Sequence, residues 1–143
     1  MEKSSGEPPE FRAFLRDPRW RPDFGAHPPA RDALLELVLV EPRAHAMLVP
    51  VLRNASAMFP NAALTVVHSA ANADVLRALL APTQKSNVRL LPLLPPDLTT
   101  AQYSRLLLSP FFWHALTAPH VLIFQTDAGF FRNTVLDLSL IHI

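Results

Sequence analysis

The chain has no cysteine, only three glycines and no long apolar run. Each absence removes a class of chemistry. Without cysteine there are no disulfides, thiolate zinc sites or thiol nucleophiles, which fits a reducing, cytoplasmic setting. Gly6, Gly25 and Gly129 stand too far apart to write a GxxxxGK[ST] phosphate loop or a GxGxxG turn. No apolar stretch approaches the ~18 residues that span a bilayer, and the N-terminus lacks the apolar core of a secretory signal. An excess of one charge is missing too. Thirteen basic residues against 12 acidic leave a net charge of +1, too little for the basic face that general nucleic-acid binding requires. Neither nucleic acid nor a membrane span is an expected partner.

Proline and hydrocarbon are plentiful. Half of the 143 residues are hydrophobic, enough for one domain with a core. Of the 15 prolines, Pro8, Pro9, Pro18, Pro22, Pro28 and Pro29 fall before residue 31, among most of the early charge. Proline at that density breaks helix and sheet, so residues 1–32 read as a flexible arm. Phe11, Phe14, Leu15, Trp20 and Phe24 would let part of it dock.

Beyond residue 33 the pattern changes. Leu34–Val40, Ala63–Val67, Val88–Leu91 and Val121–Phe124 are short apolar runs, as expected of parallel strands buried on both faces. Helical spacing lies between them. Met47, Leu48, Val51, Leu52, Ala55, Met58 and Phe59 form one stripe, with Pro50 near its start. Asn72 reads as an N-cap for a helix burying Val75, Leu76, Leu79 and Leu80 and stopping before Pro82. Thr99-Thr100-Ala101-Gln102 fits a capping box. Ser109-Pro110 opens a short helix that would bury Phe111, Phe112 and Trp113. The alternation predicts an α/β fold with a parallel sheet.

In such sheets ligands sit beyond the carboxyl ends of the strands. The candidates there are Glu41-Pro42-Arg43 after strand one, His68-Ser69 after strand two and Gln125-Thr126-Asp127 after strand four. Asp127 could ligate Mg²⁺ or Mn²⁺ or simply sit in an Asp-Ala-Gly turn. Glu41 and Arg43 could contact a base, ribose or phosphate, or form a solvated pair. His68 could donate to a ligand or bond to backbone. Histidine spacing gives no HxxxH or HExxH metal motif, and no GxSxG elbow is present.

Leu37-Val38-Leu39-Val40-Glu41-Pro42-Arg43, Val51-Leu52-Arg53-Asn54, Val66-Val67-His68, Asn87-Val88-Arg89, Tyr103–Pro110 with Phe112-Trp113, and Val121–Asp127 together resemble a little-characterised domain of unknown function. That family looks like the GT-A class of nucleotide-sugar glycosyltransferases. The resemblance spans about Leu34 to Arg132. It implies a Rossmann-like, GT-A-like parallel sheet with helices on both faces, here an incomplete N-terminal half of the fold. It also implies a nucleotide-sugar donor held by Glu41, Arg43, His68, Gln125, Thr126 and Asp127, an unknown acceptor, and Mn²⁺ or Mg²⁺ on Asp127. GT-A enzymes place Asp-x-Asp where this chain has Gln125-Thr126-Asp127. The last aspartate matches and the first is glutamine, which leaves open a looser ion or a metal-independent site.

Leu138-Ser139-Leu140-Ile141-His142-Ile143 reads as a translation of CTG TCT CTT ATA CAC ATC, a string resembling the mosaic-end adapter of transposon-based sequencing libraries; the alternative is an ordinary apolar strand that shares the string. The expected layout is therefore a Pro-rich arm (1–32), a partial glycosyltransferase-like domain (33–137) and an adapter-derived tail (138–143). On this reading the acceptor half is absent, and the chain binds a donor without full activity. A non-catalytic α/β binding or interaction module is the alternative. A receiver-type phosphoacceptor domain fits poorly, because it needs an acidic pair after strand one and only Glu41 is there.

Overall fold

A computed structural model describes residues 9–16, 33–80 and 88–130, with the side chains of Phe11 and Leu15 excepted. The remainder of the arm, the Pro82 helix stop, Asn87 and residues 131–143 with the adapter-like tail lie outside the described residues. The element order is α1 (Pro9–Leu15), β1 (Leu35–Val40), α2 (Leu48–Met58), β2 (Ala63–Val67), α3 (Ala73–Leu80), β3 (Val88–Leu91), α4 (Thr100–Leu108), α5 (Pro110–His114) and β4 (His120–Phe124).

The four strands form one parallel sheet in the order β3-β2-β1-β4. This is the expected α/β, Rossmann-like architecture. Alternation along β1 divides the core into two layers. Leu35, Leu37 and Leu39 pack with Leu64 and Val66 against Leu48, Val51, Leu52 and Ala55 of α2 and Leu76 of α3. Val38 and Val40 pack with Val67, Leu94 and Phe112 on the opposite face, under Tyr103, Leu106 and Leu107 of α4. Helices therefore cover both faces. Among the described residues, no helix is long and apolar enough to cross a membrane.

Local chemistry explains where the helices start. Pro50 occupies the first turn of α2, where its missing N–H costs no helical bond. At α4 the capping box is complete. Gln102 N–H donates to Thr99 Oγ1 at 3.2 Å, and Thr99 N–H donates to Gln102 Oε1 at 2.8 Å. Pro110 is the first residue of α5.

Three expectations need correction. The arm contains a helix: Pro9 opens α1, which lies against α2 with Phe14 on the core. Proline at a first helical position is preorganised for a helix, so it starts this one. Asn72 directly precedes α3, but its side chain bonds to Ser69 N–H and to the carbonyls of Glu41 and Arg43, and Val75 of α3 is exposed. In α5 only Phe112 is buried, whereas Phe111 and Trp113 are exposed. Successive helical residues project about 100° apart, so three consecutive aromatics cannot all face inward. Trp113 instead donates its indole N–H to Leu107 O at 2.7 Å.

A buried charge sits near the amino end of the sheet. Glu36 of β1 is fully buried. It accepts from Arg89 Nη2 of β3 at 3.1 Å, Thr65 Oγ1 of β2 at 3.2 Å, and both the N–H and hydroxyl of Thr117 before β4 at 3.3 Å. Arg89 Nη2 also donates to Ala115 O at 2.6 Å. A carboxylate survives burial only when paired in this way.

Candidate functional site

Two turns meet beyond the carboxyl ends of β1 and β4. The chain moves outward from β1 to β2 and β3, then crosses back to lay β4 on the other side of β1. The strand order thus reverses between β1 and β4, the place where parallel α/β sheets open a crevice for ligands.

The first turn follows β1. Glu41 N–H donates to Val67 O at 3.0 Å, extending the ladder by one residue. Pro42 then ends it, having no N–H to donate. The Glu41 side chain is buried and grips Arg43. Oε1 accepts from Arg43 N–H and Nε at 2.9 Å, and Oε2 accepts from Nη2 at 3.1 Å. This is a bidentate carboxylate–guanidinium fork, with the acid inside and the base at the surface.

The second turn follows β4. Ala128 N–H donates to Gln125 O at 3.0 Å, closing Gln125–Ala128. Thr126 points inward and its Oγ1 donates to Glu41 Oε2 at 3.4 Å, joining the two turns. Gln125 and Asp127, on either side of it, are exposed. The chain leaving the turn is clamped by Asn54, a fully buried residue of α2. Phe130 N–H donates to Asn54 Oδ1 at 2.7 Å, and Asn54 Nδ2 donates to Phe130 O at 3.2 Å.

A cleft of about 820 Å³ lies over these turns. Glu41, Arg43, His45, Gln125, Thr126 and Asp127 form one wall, and Asp97, Thr99, Thr100, Tyr103 and Ser104 at the start of α4 form the other. Its volume is in the range of small-molecule sites.

Five of the six candidate residues, Glu41, Arg43, Gln125, Thr126 and Asp127, line this cleft. His68 is not among the lining residues. It is buried, with Nδ1 2.8 Å from Ser69 O. Its backbone bridges Leu91 O and Leu94 N–H. The rim expected from Glu41, His68 and Asp127 therefore contains Glu41 and Asp127. Glu41 and Thr126 bond to each other, and Arg43, Gln125 and Asp127 are the exposed candidates on that wall.

Among the described residues, no three His, Asp or Glu side chains gather as a metal site. Both oxygens of Glu41 are engaged. Asp127 presents the other carboxylate of that wall, exposed and beside the Gln125 amide.

Sequence reasoning missed the α4 wall. The signal was available, because α4 follows β3 and must begin at the same carboxyl edge as the strand ends. His45 was missed too, two residues beyond Arg43. Its Nδ1 accepts Met47 N–H at 3.1 Å, so its neutral ring carries the proton on Nε2.

Residues 94–140 match a family model described as a protein of unknown function, DUF5672. The matched segment holds α4, α5, β4 and the Gln125–Asp127 turn, and so both the α4 wall and the Asp127 side of the cleft. It does not reach the Glu41–Arg43 turn. The family description names no activity. No curated protein and no solved structure matches the chain.

Proposed function

We propose that the cleft binds a nucleotide-sugar donor and that the chain is the donor-binding part of a glycosyltransferase-like protein. One observation carries this reading: two strand-end turns at the switch point of a parallel sheet bring Arg43, Gln125 and Asp127 into a single cleft. Arg43, oriented by Glu41, faces the diphosphate. The hydroxyls of Thr100, Tyr103 and Ser104 on the far wall suit the polyhydroxylated part of the donor.

The donor set also suits a divalent ion brought in with the diphosphate. Asp127 and the Gln125 amide oxygen are hard oxygen ligands, and phosphate oxygens and water would complete the shell. Relief of charge on the departing diphosphate is what such an ion supplies. Among the protein groups, Asp127 would hold it and Gln125 would stand beside it.

The test is calorimetry of the chain with uridine and guanosine diphosphate sugars, with and without Mn²⁺. Binding is expected, and Asp127→Ala should weaken it roughly tenfold or more. Absence of binding across a broad donor panel would sink the reading. A non-catalytic α/β binding module is the second reading, favoured by Gln125 standing where the transferase pattern has a carboxylate. It predicts ligand binding that Asp127→Ala leaves intact.

A further inference from the structure

The Glu41-Pro42-Arg43 turn makes an unusual set of bonds. All three of its carbonyls accept hydrogen bonds from just two side chains, both on the β2–α3 loop. Asn72 Nδ2 donates to Glu41 O at 2.7 Å and to Arg43 O at 3.0 Å. Ser69 Oγ donates to Pro42 O between them. Asn72 is fully buried, and its Oδ1 accepts Ser69 N–H at 3.2 Å. Both amide protons and the amide oxygen are thus in use, the full satisfaction a buried amide needs. Neither residue lines the cleft.

Three successive carbonyls drawn toward one loop fix the turn's orientation. With the carbonyls facing the β2–α3 loop, the Arg43 amide N–H is left for Glu41 Oε1, and the guanidinium folds onto the same carboxylate. Pro42 stiffens the middle of the turn. We propose that Asn72, assisted by Ser69, is a positioning residue that holds the Glu41–Arg43 fork at the cleft. Asn72 acts through the turn and touches no ligand. Its importance for binding rests on the nucleotide-sugar reading; its control of Arg43 does not.

The test uses the full 143-residue chain and two variants. Asn72→Asp keeps the shape and the acceptor for Ser69 but replaces the donating NH₂ with an oxygen facing two carbonyls. Ser69→Ala removes the central bond and the one that Ser69 Oγ accepts from Ala71 N–H at 3.0 Å, leaving both Asn72 amide bonds to the turn, and it carries the test if Asn72→Asp fails to fold. The ligand-free readout is the Arg43 Nε–H signal by ¹⁵N NMR; the second is the affinity for UDP and GDP. In either variant the Nε–H signal should broaden or vanish while the signals of β1 and β2 persist. Nucleotide affinity should fall by roughly tenfold in Asn72→Asp. An Nε–H signal and an affinity equal to wild type in both variants would overturn the proposal. Loss of the Nε–H signal in a protein whose wild type binds no nucleotide would uphold the positioning role and defeat the nucleotide reading.

Discussion

Phe111 and Phe112 are neighbours that α5 places in opposite environments. Phe112 is fully buried between Val38, Val40 and Val67, with its ring edge-on to Trp113 at 5.2 Å, while Phe111 is 67% exposed. Truncating the first removes hydrocarbon contacts and leaves a cavity; truncating the second changes little that water does not already touch. Phe112→Ala should cost about 3–5 kcal/mol, and Phe111→Ser should stay within about 0.5 kcal/mol. Urea unfolding of the two variants side by side checks this. Equal effects would mean that α5 is docked the other way round. The pair also marks a limit of reading one dimension: an apolar triplet announces a packed helix but not which member faces in. The polar residues behind the site show the same limit. Asn54, Asn72 and Glu36 each bond partners 29 or more positions away, so no local pattern gives those bonds. Thr126 is legible as a strand-end residue, but its bond to Glu41 spans 85 positions.

At the scale of elements, strands and caps were the readable features. The four apolar runs became the four strands, with only the first residue of two of them shifted. Apolarity on both faces has few meanings other than a covered parallel strand. The capping box at α4 was also readable, since both of its bonds are local. Thr99→Ala should remove one of them and cost about 1 kcal/mol, read as a lower thermal midpoint with the helical circular-dichroism signal of the native state retained. Thr99 also borders the cleft, so the same variant shows whether the start of α4 must be held still for ligand to bind. Helix α1 was not readable, because the prolines around it outweigh its own short pattern. Val75 misled for a related reason: α3 buries a narrow stripe around Ala73 and Leu76.

Over the whole molecule, the two ends of the sheet divide the labour. The carboxyl edge holds the cleft, and the amino end holds the Glu36–Arg89 pair, which ties three strands and the approach to β4 at one carboxylate. Arg89→Met would leave that buried carboxylate with only the neutral donors of Thr65 and Thr117 and should cost about 3 kcal/mol. Replacing both partners, Glu36→Met with Arg89→Met, should recover much of the loss, because no buried charge then remains. Chemical denaturation of the single and double variants decides it; a double variant no more stable than the single would refute the account. Fold class and the sheet edge that carries the cleft followed from alternation and topology. The α4 wall of the cleft did not, because it depends on which face the β3–β4 crossover takes.

The pairing of β1 with β4 aligns Leu35 with His120 and Leu39 with Phe124, so the central strand waits for a neighbour made some eighty residues later. During synthesis β1 can find β2 early, yet one of its hydrogen-bonding edges stays open until β4 has left the ribosome. Contacts so distant along the chain slow folding, and an unsealed strand edge invites pairing with other chains. Assembly of the edge that carries the cleft is thereby postponed until β4 is made, and a nascent chain halted before residue 120 would need a chaperone to shield what β4 has yet to cover.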